Sequence, residues 1–170
     1  MIQSSSTYWL QARALFGVVL AASALIQLAP VASAQGVHEV IVPEPAKRNY
    51  DELHFAPAVR AGDFLFLSGV VAGAPPGVEM TEEEAYDRAF RAIQYFLEQA
   101  GAGWEHVVEI ETFHVDLPAG IQTFSAVKDK YIKKPYPAWT AIDIDRLYPD
   151  NAYAEIKVVA YLAAPRTLKD

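Results

Sequence analysis

The chain has 170 residues, 14 basic and 21 acidic side chains, four histidines and no cysteine, for a formal net charge of −7. The acidic excess argues against nucleic acid or an anionic membrane as a partner, because phosphate recognition needs clustered Lys and Arg. The lack of cysteine removes disulfides, thiol catalysis and thiolate metal sites together.

The first element in chain order reads as an export signal. No acidic residue precedes Glu39, and Arg13 supplies a positive charge ahead of an apolar segment from Ala14 to about Leu28, interrupted at Gln27. Pro30 then leads into Ala32-Ser33-Ala34, the small-x-small pattern of a signal-peptidase site. The segment falls short of the roughly 20 uninterrupted apolar residues of a membrane anchor. Residues 1–34 are therefore expected to be a signal peptide, with an uncleaved anchor as the alternative. The protein is then periplasmic or secreted, with no membrane attachment after cleavage. Taking 34 from 170 leaves 136 residues, and losing Arg13 leaves 13 basic against 21 acidic side chains, a charge of −8. That length suffices for one domain, residues 35–170, with a real core.

Residues 35–57 contain Pro43, Pro45 and Pro57 and show no helical period. They read as an irregular arm with a short strand at 38–42. Arg60-Ala61-Gly62-Asp63 before Phe64-Leu65-Phe66-Leu67 is a hairpin signal. Ser68-Gly69 ends that strand, and residues 72–77 read as a Gly- and Pro-rich loop. Thr81-Glu82-Glu83-Glu84 is a capping box opening a helix. Its apolar stripe is Ala85, Ala89, Ala92, Ile93, Phe96, Leu97 and Ala100, and Gly101 and Gly103 stop it. Residues 107–115 alternate and are β-branched, as a strand requires. A second helix fits Pro118 to about Ile132, with Ile121, Phe124, Val127 and Tyr131 on one face, closed by Pro135 and Pro137. Strands at 138–145 and 152–162 follow, joined by a turn at Tyr148-Pro149-Asp150-Asn151. The pattern is α+β: two helices packed on one face of a sheet.

Several familiar chemistries are missing. His38, His54, His106 and His114 lack metal-ligand spacing, so no metal is expected. His114, within a strand, reads as a structural imidazole. Gly101-Ala102-Gly103 closes a helix, whereas a phosphate loop opens one. Leu67-Ser68-Gly69 lacks the glycine two places before serine that a nucleophile elbow needs.

What remains is the last strand. Alternation puts Ala154, Ile156, Val158, Ala160 and Leu162 under the helices, and turns Tyr153, Glu155, Lys157, Val159 and Tyr161 to the other face. That second face is too apolar to be wet, which points to burial by another subunit. Glu155 is then a carboxylate near a subunit junction. Two roles fit it: a general acid or base, or one half of an ion pair with Lys157 or another chain.

From Phe55 to Leu162 the chain resembles the Rid family, the reactive intermediate imine deaminases also called YjgF/YER057c/UK114. The resemblance rests on Arg60-Ala61-Gly62-Asp63-Phe64-Leu65-Phe66-Leu67-Ser68-Gly69, Ala100-Gly101 and Phe113-His114-Val115-Asp116. It continues through Phe124-Ser125-Ala126-Val127 with Tyr131, Tyr136-Pro137-Ala138, Arg146-Leu147 and Ala154-Glu155-Ile156-Lys157-Val158-Val159-Ala160. It implies a chorismate-mutase-like subunit with a mixed sheet, a homotrimer whose sheets form a central barrel, and small-molecule clefts between subunits. Active members hydrolyse imines and enamines such as 2-aminoacrylate, without metal or cofactor. In them an arginine after the Pro-Ala of the fifth strand clamps the substrate carboxylate, and a glutamate of the last strand positions or activates water. Glu155 matches that glutamate, and Ser68 with Gly69 matches the end of the strand before the loop. The arginine position, however, holds Trp139. Phe55 stands for the family's N-terminal tyrosine, and Lys128 for an asparagine of the second helix.

Indole has one N–H donor and no charge, so Trp139 cannot replace a carboxylate clamp. It is either packing at the trimer junction or a stacking wall for a planar or cationic ligand. Lys128 is a solvated lysine or, with Arg146, a candidate substitute cation. Two functions follow: a divergent hydrolase of an imine, enamine or related small molecule with Glu155 as acid/base, or a non-catalytic trimer holding an apolar or aromatic ligand. Some relatives carry a ribonuclease label, which the charge balance here argues against.

Overall fold

The computed structural model describes residues 38–163; the expected signal peptide lies outside them. Seven strands and three helices follow in chain order. They are β1 (Glu39–Ile41), α1 (Lys47–Leu53), β2 (Ala58–Ala61), β3 (Phe64–Leu67), β4 (Val70–Gly73), α2 (Glu82–Gln99), β5 (Val107–His114), α3 (Leu117–Tyr131), β6 (Ala138–Asp143) and β7 (Ala152–Tyr161). The sheet runs β1-β2-β3-β7-β5-β6, with β4 also paired to β7. Pairs are antiparallel except β5 with β6, which α3 joins by a crossover. The long β7 organises the sheet. Its Val159–Tyr161 end pairs with β3, its Ala152–Ile156 end with β4, and its other edge with β5.

The mixed α+β sheet is as expected, with two corrections. The described part of the arm, residues 38–57, is not irregular: a 3-10 turn at Glu44–Ala46 leads directly into α1. Pro45 sits in the first turn, where a missing N–H is harmless, so the prolines start this helix rather than break it. With seven residues and none buried, α1 leaves no stripe for periodicity to find. The expected loop at 72–77 also begins too early, because Ala72 and Gly73 belong to β4. Ala72 is fully buried, and Gly73 lies so close to Ala152 that a Cβ there would be 3.2 Å from its Cα. Small residues that resemble a loop are here the ones that let a strand pack tightly.

The core lies between the sheet and α2 with α3. Ala154, Ile156, Val158 and Ala160 face it from β7, Leu65 and Leu67 from β3, and Ile110 from β5. Thr81 and Glu84 form the reciprocal cap of α2. Tyr86 and Phe90 join the buried stripe of α2, and Phe124 and Val127 face them from α3. Gly120 sets how near the helices come, since a Cβ there would stand 2.5 Å from Glu82 Oε1 and 2.8 Å from Tyr86 Oη. Tyr86 donates to Glu82 across 2.6 Å, and burial with that carboxylate pushes its phenol well above the usual range. The other sheet face is open. Phe64 and Phe66 on β3 and Ile142 on β6 are more than two-fifths exposed there, with the Tyr161 ring 5.0 Å from Phe64.

Candidate functional site

The open face carries Glu155. It lies opposite Val71 on β4 and Phe113 on β5, and its side chain leans over Gly69 just ahead of β4. A Cβ at position 69 would stand 1.8 Å from Glu155 Oε1, so the carboxylate occupies the space glycine leaves. Among the described residues this carboxylate has neither hydrogen bond nor ion pair. Lys157, one of its expected partners, is 3.1 Å from Glu111 instead. Ser68 is anchored in the opposite sense. Its hydroxyl donates to Ala56 O at 2.6 Å and its N–H to Pro57 O at 3.0 Å. Those bonds clip the end of the arm to β3 and leave the hydroxyl only acceptor capacity. Phe55 is thereby held beside Ser68 and Gly69, 40% exposed.

Trp139 and Lys128 assemble elsewhere. Trp139 pairs with Ile110, whose side chain is in the core, so its indole points to the helix side of the sheet, opposite to Glu155. It stacks on Phe124 with centroids 5.7 Å apart and donates from Nε1 to Thr112 Oγ1 at 3.0 Å. The single donor of the indole is thus spent inside the subunit. Asp143 at the end of β6 accepts from the N–H of Leu117, which docks the start of α3 over β6. That docking sets Lys128 with its Nζ 5.1 Å from the Trp139 ring centroid and paired to Asp129. A cavity of about 340 Å³ lies there, lined by both residues with Asp129, Tyr136 and Pro137. Arg146, the other candidate cation, is exposed and paired with Asp150. The six expected residues therefore form two groups: Phe55, Ser68, Gly69 and Glu155 in one, and Lys128 with Trp139 in the other.

Two features escaped sequence reasoning, a groove and the Arg88 on its wall. The groove, of about 620 Å³, runs beside β4, walled by Phe55, Ser68 and Gly69 together with Leu53, Arg88 and Tyr148. Arg88 gave no signal because the arm it faces was not expected to contain a helix. His114 is fully buried and has no partner at either ring nitrogen among the described residues. Its ring lies edge-on to Phe124 at 4.8 Å, and burial lowers its pKa below the ordinary imidazole value of 6.5, against a smaller opposing pull from Asp143 and Glu82. It is a neutral core residue. No three His, Asp or Glu side chains converge as metal ligands among the described residues.

Comparison with known proteins agrees with this fold. The family described as Endoribonuclease L-PSP matches residues 47–162. The RutC family protein YjgH of Escherichia coli (strain K12) is 32% identical over 120 residues, covering 68% of this chain and 90% of that protein. Reactive Intermediate Deaminase A, chloroplastic, of Arabidopsis thaliana is 29% identical over 111 residues, 64% of this chain and 58% of that one. A solved structure of protein YJGH superposes with a TM-score of 0.66 at 27% identity, covering 76% of this chain and 99% of that one. RidA from the Antarctic bacterium Psychrobacter sp. PAMC 21119 gives a TM-score of 0.57 at 25% identity, covering 64% and 88%. With its family match over residues 47–162, its similarity to YjgH and its mixed sheet, this chain belongs to the Rid (YjgF/YER057c/UK114, Endoribonuclease L-PSP) family.

Proposed function

We propose that this protein is an exported, homotrimeric hydrolase of a small imine or enamine, with Glu155 handling the water and the proton. The observation that carries this reading is the seat of Glu155: a carboxylate laid over Gly69, free of any partner among the described residues. A carboxylate held in place but uncommitted is available for general acid–base work. Water adds to the carbon of the C=N bond as Glu155 takes its proton and the nitrogen is protonated. The carbinolamine then collapses, with the C–N bond breaking, ammonia leaving and the carbonyl forming as Glu155 exchanges the proton. An enamine first takes a proton on carbon to become the imine. No metal or cofactor enters these steps.

The name of the Arabidopsis relative, a reactive intermediate deaminase, supports the reaction class. The apolar outer face supports self-association, and the sequence of residues 1–34 supports export. The substrate differs from 2-aminoacrylate. The place of the carboxylate clamp holds an indole whose N–H is already bound to Thr112. That engaged Trp139 favours the second reading, a non-catalytic trimer that binds an apolar or aromatic ligand.

The deciding experiment follows ammonia release from a panel of freshly generated imines. Wild type is expected to hydrolyse an apolar imine faster than 2-aminoacrylate, and Glu155→Gln to lose at least about a hundredfold of that rate. No release from any imine, or full activity in Glu155→Gln, overturns the hydrolase and leaves the binding trimer.

A further inference from the structure

The groove beside β4 has a charge pattern that the imine chemistry does not use. Its volume of about 620 Å³ suits a small molecule. Leu53, Phe55 and Tyr148 meet around it, exposed by 64%, 40% and 87%, the last being more exposed than any other large apolar residue described. Single exposed apolar residues are ordinary, but several gathered round one concavity mark a binding surface. Against this wall stands one charged side chain, Arg88, and no Asp or Glu lines the groove although the chain has 21 of them.

Arg88 is held but not neutralised. Its Nη1 donates to Gly73 O at 3.1 Å, which uses one of five guanidinium N–H groups and fixes the head against β4. The other four have no partner among the described residues. Arg48, Arg91 and Arg146 each sit on a carboxylate, and Lys128 in the second cavity is matched by Asp129. Arg88 is thus a cation left open beside an apolar concavity.

We propose that this groove binds a small organic anion, a carboxylate carried on a flat apolar or aromatic body. Arg88 takes the carboxylate, and Leu53, Phe55 and Tyr148 cover the body. A cationic ligand would meet an unopposed guanidinium, and an uncharged one would gain only a hydrogen bond to a neutral acceptor. A carboxylate gains charge-assisted hydrogen bonds in the paired geometry that guanidinium offers. The groove shares Ser68 and Gly69 with the imine site, but the inference concerns binding and does not require turnover.

The test is calorimetric titration of the purified protein with indole-3-acetate and with its uncharged amide, at low salt. The acid is expected to bind at least about tenfold more tightly than the amide, the weight of one charge-assisted hydrogen bond. Arg88→Gln should erase that preference and Arg88→Lys restore part of it. Arg91→Gln removes a charge from the same helix outside the groove and should leave the preference intact. Equal binding of acid and amide, a preference that survives Arg88→Gln, or no binding of either probe at millimolar concentration overturns the proposal. Ammonia release is a separate readout: its absence would sink the hydrolase and leave this inference standing.

Discussion

Glu155 fills the space that a side chain at position 69 would need, and Gly69→Ala therefore reports on its seat. The new Cβ would stand 1.8 Å from Oε1, 2.6 Å from Cδ and 2.8 Å from Cγ. Gly69 is not among the positive-φ glycines, so its backbone suits alanine. Taken alone the exchange should stabilise the chain by about 0.4–1 kcal/mol, through a less flexible unfolded state. The penalty falls on Glu155. Ordinary contact begins near 3.4 Å, so Oε1 must retreat by 1.6 Å, which is 3.4 less 1.8. A strained rotamer costs about 0.5–1.5 kcal/mol, enough to cancel the gain. Stability should stay within about 1 kcal/mol of wild type, whereas a reacting group misplaced by more than 1 Å lowers turnover about a hundredfold. In a Glu155→Ala background the same alanine meets no carboxylate and the gain should appear in full. Urea unfolding of the four species closes the cycle, and ammonia release completes the assay. A cycle additive to within about 0.3 kcal/mol, or wild-type turnover in Gly69→Ala, would refute the reasoning.

Gly120→Ala should behave differently, because its Cβ meets Glu82 at 2.5 Å and the hydroxyl of Tyr86, a side chain only 1% exposed, at 2.8 Å. A loss of about 1–3 kcal/mol is expected in chemical denaturation, and wild-type stability would contradict the close helix approach. His114 should make the fold acid-sensitive. Its folded pKa lies below 6.5, so under that pH the unfolded chain binds the extra proton, and stability present above 6.5 is lost as pH falls through the folded value. His114→Leu should flatten unfolding free energy against pH below 6.5, and an unchanged slope would assign the effect to other groups. Phe66→Glu puts a charge amid the open face, where Phe66 is 43% exposed. Wild type is expected to sediment as a trimer and the variant as a monomer of unchanged secondary structure; a monomeric wild type would defeat the assembly argument.

The parts of the fold legible in the sequence are those whose side chains obey one rule over many residues. The 18-residue α2 combines a reciprocal cap with a long apolar stripe, and the ten residues of β7 alternate without a break. The positive φ of Gly62 and Gly101 falls where a hairpin and a helix end were expected. What the sequence hid is short and depends on distant partners. Seven residues cannot display a period in α1. Ala72 and Gly73 look like loop residues until β7 lies beside them, because their smallness serves the packing. Tyr86 and Phe90 fall outside the stripe read from aliphatic spacing, yet α3 packs over them and widens the buried face of α2.

The site was legible as residues and not as a place. Glu155 came from alternation and from the family resemblance, which also supplied Ser68 and Gly69, and β4 lying antiparallel to β7 brings the glutamate onto the glycine. Trp139 has the opposite parity. It pairs with core-facing Ile110, and Glu155 pairs with outward-facing Phe113, so within one subunit no side-chain rotation joins them. A strand slip of one residue would exchange the faces, but Trp139 is pinned by Thr112 and Phe124, and β7 by five core residues, from Ala152 to Ala160 in alternation. If both groups serve one ligand, the second half must come from a neighbouring copy, and the unpaired apolar face around Phe64, Phe66 and Tyr161 is where such a copy would gain most by docking. The same geometry explains why an indole at position 139 need not disable Glu155. Thr112 and Phe124 fix Trp139 on the helix side of the sheet, whereas Glu155 sits over Gly69 on the open face.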